Sequence, residues 1–269
     1  MTDLRELAER VAAADGVAPL NEASLLALDA VEAARVDERV EADGLLVAAA
    51  YAPGDAPVEV FVDPARRREG FGTRLAAALA ERGERRFWAH GDLPGAQALA
   101  ARLGLRAVRT LLVLRREDAS PAEERTLAGV TIRTFRPDDV DAILAVNARA
   151  FADHPEQGAM DRADFERRAA SDWFDPEGLF VAERDGEVVG FHWTKVEGDV
   201  GEVYVVGVDP AEHGRGLGTA LTAHGLRHLD ERVPVVDLYV EADNAPALAV
   251  YQRLGFTEHA RDTLYEAAR

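Results

Sequence analysis

There is no cysteine in the 269 residues. The chain can form no disulfide and can offer no thiolate, either as a nucleophile or as a metal ligand. Lack of cysteine fits a reducing compartment, and a cytoplasmic protein is expected. No run of 18 apolar residues occurs, so nothing is long enough to cross a bilayer as a helix. The N-terminal MTDLRELAERVAAADG is charged where a secretory signal would be apolar. Lysine is nearly missing, with Lys195 alone beside 30 arginines. Positive charge is scarce altogether: 31 Lys and Arg stand against 49 Asp and Glu, for a net charge of −18. Such a field repels nucleic acid and anionic membranes, and neither is expected as a partner. No metal is expected, and a monomer is.

What is present begins with a 48% hydrophobic content, enough for a proper core. The length suggests about two domains. The charged, apolar-poor stretch RREDASPAEERTLAG (Arg115–Gly129) then reads as a linker between them. The expected division is 1–115, a linker over 116–129, and 130–269.

The second half is organised around GEVYVVGVDPAEHGRGLGTAL, Gly201–Leu221. A β-branched apolar run of strand length is broken by Asp209-Pro210. The Gly-rich stretch His213-Gly214-Arg215-Gly216-Leu217-Gly218-Thr219 follows and opens into an apolar-periodic helix. A strand feeding such a loop at a helix N-terminus is an anion cradle: backbone N–H groups approach a phosphate and the helix dipole favours its charge. A P-loop would need Lys and Ser/Thr in a register that is absent here, and a dinucleotide fingerprint would need a small residue where Thr219 stands. The loop instead resembles the pyrophosphate loop of the GNAT acetyltransferase superfamily, with Gly216 and Gly218 in place and His213 where Gln or Arg is usual.

The pattern occurs twice. VEVFVDPARRREGFGTRLAAAL (Val58–Leu79) aligns Asp63-Pro64 with Asp209-Pro210, an offset of 146 (209 − 63). Arg67, Gly70 and Gly72 then match His213, Gly216 and Gly218. A second echo, AQALAARLGL against ALAVYQRLGF, runs at an offset of 151 (247 − 96). Two ungapped matches point to an internal duplication. The second half reads β-α-α-β-β-β-α-β-α-β, an α/β mixed-sheet order that resembles the GNAT fold. The first half reads as helices over 3–14 and 22–39, then strands over 45–51 and 58–62, a repeat trimmed of strands at its start. The expected fold is two tandem GNAT acyl-CoA N-acyltransferase domains.

Acetyl transfer to an amine needs a base, donors for the developing oxyanion, and a proton or hydrogen bond for the departing thiolate. The superfamily resemblance implies Glu202 as the base, at the start of the strand before the loop. It implies Tyr251 as the leaving-group acid, in Asn244-Ala245-Pro246-Ala247 with Tyr251 following. The backbone of Val206, Gly207 and Val208 would hold the pantetheine arm. Taken singly, Glu202 is an ordinary strand-end charge, Tyr251 an amphipathic helix residue and Asn244 an N-cap. Their joint register with the loop is what raises the functional reading. In the first half the corresponding positions are Ala56, Ala100 and Leu93, so one working site is expected. A vestigial or live CoA site there would use Val60, Val62, Arg67, Arg68, Gly70 and Gly72.

More specific stretches are HPEQG (His154–Gly158), HWTKV (His192–Val196), GEVYVVGVDP and LYVEADN (Leu238–Asn244). They resemble the mycothiol synthase family of actinobacteria, tandem-domain members of the same superfamily. That resemblance implies acetyl-CoA as co-substrate and the cysteinyl amine of cysteinyl-glucosaminyl-inositol as acceptor. It implies acceptor contacts from Glu22, Glu156, Lys195, Glu202 and Tyr239. Acetyl-CoA would be held by Val206–Val208, His213–Thr219 and the segment Asn244, Ala245, Pro246, Ala247, Leu248 and Ala249. Glu22 comes from the first half, so the acceptor would draw on both. A GNAT enzyme for another small-molecule or peptide amine, and a non-catalytic acyl-CoA-binding protein, are the alternatives.

Overall fold

A computed structural model describes residues 4–31, 33–117, 122–123, 125–152 and 157–268. Their contacts cluster into two units, Met1–Leu112 with Ala260–Arg269, and Val113–His259. The sheet thus takes the strand after Gly104 through to Glu117, past the residue where a linker was expected to begin. It also returns the last ten residues to the first unit.

In chain order the first repeat runs α1 (Leu4–Asp15), α2 (Glu22–Asp29), β1 (Ala34–Ala42), β2 (Leu45–Pro53), β3 (Val58–Val62), α3 (Phe71–Glu81), β4 (Arg86–Ala89), α4 (Pro94–Arg102) and β5 (Leu105–Glu117). The second runs β6 (Thr131–Thr134), α5 (Val140–Ala150), α6 (Arg162–Ala169), β7 (Leu179–Arg184), β8 (Glu187–Glu197), β9 (Val200–Val208), α7 (Leu217–Asp230), β10 (Val235–Glu241), α8 (Ala245–Arg253) and β11 (Thr257–Ala267).

In the first unit the strands lie in the order β1-β2-β3-β4, with the end of β11 beside β4. The expected helix over 22–39 is overturned. Asn21 does cap α2, its side chain accepting from the Ser24 N–H at 2.9 Å. The helix stops at Asp29, and 34–42 is a strand antiparallel to β2. Val36 and Val40, four apart, mimic a helical stripe. The deciding signal is Asp43-Gly44, both at positive φ, which turns β1 back as a two-residue hairpin. The repeat is therefore less trimmed than expected: β1 answers to β7, and only a counterpart of β6 is missing among the described residues. On one face α1 packs Leu4, Leu7 and Val11 against Leu46, Tyr51 and Phe61. On the other, α3 packs Leu75 and Leu79 against Ala48, Ala50 and Val58.

In the second unit the order is β6-β7-β8-β9-β10, antiparallel except for the β9–β10 pair, and the end of β5 flanks β10. Residues along β9 alternate between layers. Val205 joins Ile143, Phe165, Phe191 and Trp193 beneath α5 and α6, while Val206 and Val208 join Leu217 and Leu221 beneath α7. No described helix is long and apolar enough to cross a membrane.

Candidate active site

Asp209 caps the turn after β9, accepting from the Ala211 N–H at 2.9 Å and from Arg149 of α5 at 2.7 Å. The Ala211 bond, followed by the Arg149 charge, holds its carboxyl below the usual range although burial opposes this. The chain then passes through Gly214 (φ 75°) and Gly216 (φ 83°), the left-handed region that favours glycine. Gly216 is the N-cap of α7 and brings no side-chain oxygen to it. The first N–H groups of α7 are left for a ligand. A Cβ at Gly214 would meet nothing within 4 Å, and one at Gly218 would touch only Val208 at 3.8 Å, so the cradle is open as well as left-handed. Arg215 belongs to the loop, its guanidinium 3.1 Å from buried Glu212, which also binds Arg184. Backbone donors, a helix N-terminus and one arginine suit the pyrophosphate of CoA.

The first unit repeats this backbone. Asp63 caps onto Ala65 and binds Arg10 of α1, each at 2.9 Å. Gly70 caps α3 at φ 84°, ψ 3°, against φ 83°, ψ 5° for Gly216. Arg68 takes φ 68° where the second unit has Gly214. Arg67 is forked onto Asp15 at 2.7 Å through both nitrogens, and Arg66 is bound by Glu69. The loop, Val60, Val62 and Ala100 line a cavity of about 480 Å³. Where the second unit carries Tyr251, the wall here is the Ala100 methyl.

Between β9 and β10 the ladder is short. Val200, Gly201 and Glu202 pair in parallel with Val235, Val236 and Asp237, and no pairing follows. The two strands part beyond Glu202, so the edge of β9 over Val206–Val208 is not taken up by β10. A bulge at Tyr204, between the Trp193–Val205 and Thr194–Val203 pairs, sharpens the turn of β9 at this point. In the first unit β3 and β4 likewise pair only at Val58–Phe87 and Glu59–Trp88.

Where β9 and β10 still touch, a cavity of about 190 Å³ is lined by Lys195, Glu197, Val200, Glu202, Asp237 and Tyr239. Three of the expected acceptor residues, Lys195, Glu202 and Tyr239, meet there. Lys195 is the register partner of Glu202 across β8–β9. Its ammonium lies 2.8 Å from Glu197 and over the rings of Trp173 (5.0 Å) and Tyr204 (5.7 Å). A carboxylate and two ring faces hold that ammonium in place. Tyr251 packs edge-on to Phe256, and burial pushes its hydroxyl up to about 12. Asn244 caps α8 through Ala247 at 3.2 Å. Glu22 opens α2 in the first unit. Glu156 lies outside the described residues. Asp237, Glu197, Trp173 and Tyr204 were not anticipated, although Asp237 shares a strand face with Tyr239 two residues on. Among the described residues no group of three or more potential ligands is placed to hold a metal.

The first unit holds a second polar cluster. Buried Glu59 accepts from Ser24 Oγ at 2.6 Å and the Asn21 N–H at 2.9 Å, and lies 2.7 Å from His90 Nε2. His90 Nδ1 lies 3.1 Å from Asp262, which also accepts from the Gly91 N–H at 2.8 Å. Burial pulls the His90 pKa down, but the bonds to Asp262 and Glu59 more than reverse this and leave it at about 9.

A parallel strand pair that opens where the next helix presents bare N–H groups is the arrangement by which an acetyl-CoA-dependent N-acetyltransferase of the GNAT class grips its donor, and the second unit belongs to that class. A family model described as the acetyltransferase (GNAT) family matches residues 145–256. The mycothiol acetyltransferase of Thermomonospora curvata is 53% identical over 97% of this chain and 91% of its own length. That of Thermobispora bispora is 49% identical over 96% and 93%. Among solved structures, a GCN5-related N-acetyltransferase from Sphaerobacter thermophilus superposes with a TM-score of 0.73 at 25% identity, covering 97% of this chain and 90% of that one. A tandem GNAT protein from the clavulanic acid biosynthesis pathway shares the fold, with a TM-score of 0.69 at 22% identity over 100% and 97%. The chain belongs to the mycothiol acetyltransferase family.

Proposed function

We propose that the protein moves the acetyl group of acetyl-CoA onto the cysteinyl amine of cysteinyl-glucosaminyl-inositol, giving mycothiol and CoA by direct attack in a ternary complex. The observation that carries the reading is the meeting of Lys195, Glu202 and Tyr239 on one cavity at the point where β9 and β10 part. The relatives named mycothiol acetyltransferases support an acceptor that acetylation turns into mycothiol. In this reading the enzyme works as a monomer in the cytoplasm.

Acetyl-CoA, when bound, supplies an activated acyl carbon and a thiolate leaving group. His213–Thr219, with the Arg215 cation among them, hold its pyrophosphate, and Asn244–Ala249 flank it. Glu202 takes a proton from the acceptor ammonium and frees the nitrogen lone pair that forms the C–N bond. Backbone N–H groups along Val206–Val208 donate to the carbonyl oxygen as charge gathers there. Tyr251 donates to the sulfur as the C–S bond breaks. With its hydroxyl pushed up to about 12, against roughly 8.5 for a free thiol, Tyr251 is protonated at neutral pH. Full proton transfer to the thiolate is uphill, so its contribution is a hydrogen bond. Glu22, Glu156, Lys195 and Tyr239 orient the acceptor. The first unit, with Ala56 and Ala100 at the positions of Glu202 and Tyr251, performs no chemistry. Its loop, with Val60 and Val62, offers at most a CoA-binding site.

The test is a thiol-release assay with acetyl-CoA against a panel of amines: cysteinyl-glucosaminyl-inositol, free cysteine, an aminoglycoside and a peptide N-terminus. The pseudodisaccharide is expected to have the highest kcat/KM by orders of magnitude. A higher value for any other member sinks the proposed acceptor, and no CoA release with any amine sinks the enzymatic reading.

A further inference from the structure

The cavity that holds Glu202 has an unusual charge balance. Among the described residues that line it, Glu197, Glu202 and Asp237 face one ammonium, Lys195, and one phenol, Tyr239. Asp237 is the parallel register partner of Glu202. Adjacent strands lie about 4.8 Å apart, so the two carboxylates project from neighbouring positions. Two like charges at that range repel. Lys195, the partner of Glu202 on its other side, is already committed to Glu197 and to the faces of Trp173 and Tyr204. Arg168 of α6 lies over the Tyr204 ring and adds positive charge at that wall.

The compensating charge comes from the end of β5. Arg115 forks onto Asp237, Nε to Oδ1 and Nη2 to Oδ2, both at 2.7 Å. The Asp237 side chain is only 14% exposed and that of Arg115 26%. Glu117, 3.8 Å from Arg115, is largely in solvent and counts for little. Each Asp237 oxygen also keeps a lone pair for an acceptor hydroxyl.

We infer that Arg115 and Asp237 are a positioning pair whose function is to present a carboxylate wall to the acceptor while shielding Glu202 from a second negative charge. The inference rests on the proposed reaction with Glu202 as base. Removing Arg115 unmasks Asp237 and makes Glu202 harder to ionise. Removing the Asp237 charge leaves the Arg115 cation facing Glu202 and makes it easier. The two changes shift one titration in opposite directions, which loss of packing cannot do.

The experiment is the pH dependence of kcat/KM for the parent, Arg115→Met, Asp237→Asn and the double variant, with acetyl-CoA and cysteinyl-glucosaminyl-inositol. The acid limb is expected to move up by about one pH unit in Arg115→Met and down by a comparable amount in Asp237→Asn. It returns near the parent position in the double variant, and both single shifts shrink at about 1 M salt. Arg115→Lys restores most of the parent profile. If Arg115→Met fails to fold, the near-isosteric Asp237→Asn decides alone through its downward shift. Shifts in the same direction, no shift, or an equal loss at every pH overturns the pair's role. An acid limb that survives Glu202→Gln instead overturns Glu202 as base, and the inference falls with it.

Discussion

Replacing His90 by Gln removes the cation from between Glu59 and Asp262. In the parent, His90 is 8% exposed and its pKa is raised from 6.5 to about 9. A group whose pKa rises on folding stabilises the native state fully below its unfolded value, here 6.5. That contribution is lost as the pH climbs through the folded value, about 9. At about 1.4 kcal/mol per pH unit, the window between them is worth roughly 3 kcal/mol. Urea is the suitable denaturant because, unlike guanidinium, it does not screen the pair. Trp88, whose ring centroid lies 6.0 Å from that of His90, reports the unfolding of the first unit. The stability difference between parent and variant is expected to be large at pH 6.5 and to fall by roughly 3 kcal/mol by about pH 10. An NMR titration gives a direct check, since only seven histidines are present. A His90 midpoint at or below 6.5, or a stability difference flat across the window, refutes the assignment of a protonated histidine.

The remaining predictions concern turnover. Glu202→Gln should lower kcat/KM by roughly a hundredfold or more near neutral pH, as for loss of a general base, while acetyl-CoA affinity measured by calorimetry barely changes. Tyr251→Phe should slow kcat and leave the acceptor KM nearly unchanged, because its hydrogen bond matters only as sulfur departs; a raised KM with intact kcat would make it a binding residue. Gly70→Asp with Gly72→Asp places carboxylates in the first-unit loop. A Cβ at Gly72 already comes within 3.1 Å of Val62. Turnover should persist in that variant, and its loss would contradict a silent first unit.

Much of the site was legible because it is local. The two loops share an offset of 146 residues in sequence, and the structure repeats the same turn in backbone angles at Gly70 and Gly216. Glycine spacing after a strand dictates that turn without help from the rest of the chain. The misread helix over 22–39 failed for the converse reason. Val36 and Val40 fit either period, and the Asp43-Gly44 turn that settles the matter lies outside the segment. Asp237 and Arg115 were not legible at all. They are 122 residues apart, and only strand order brings them together. The Glu59–His90–Asp262 cluster escaped for the same reason, with 172 residues between its histidine and its last member.

The pairing of Thr263–Glu266 with Arg86–Ala89 has a consequence for how the chain is made. Domains of most multidomain proteins fold in turn as they leave the ribosome, the N-terminal one first. Here the first unit to emerge must wait for Asp262, 172 residues beyond His90, and for Thr263–Glu266 before its sheet has its fifth strand and His90 has its second carboxylate. Until then β4 presents an unpaired edge, the kind of surface that recruits foreign strands. A stop codon ahead of Asp262 would therefore injure the N-terminal unit as well as the second. The two repeats are thus not laid end to end in the chain: a strand that follows the second completes the sheet of the first.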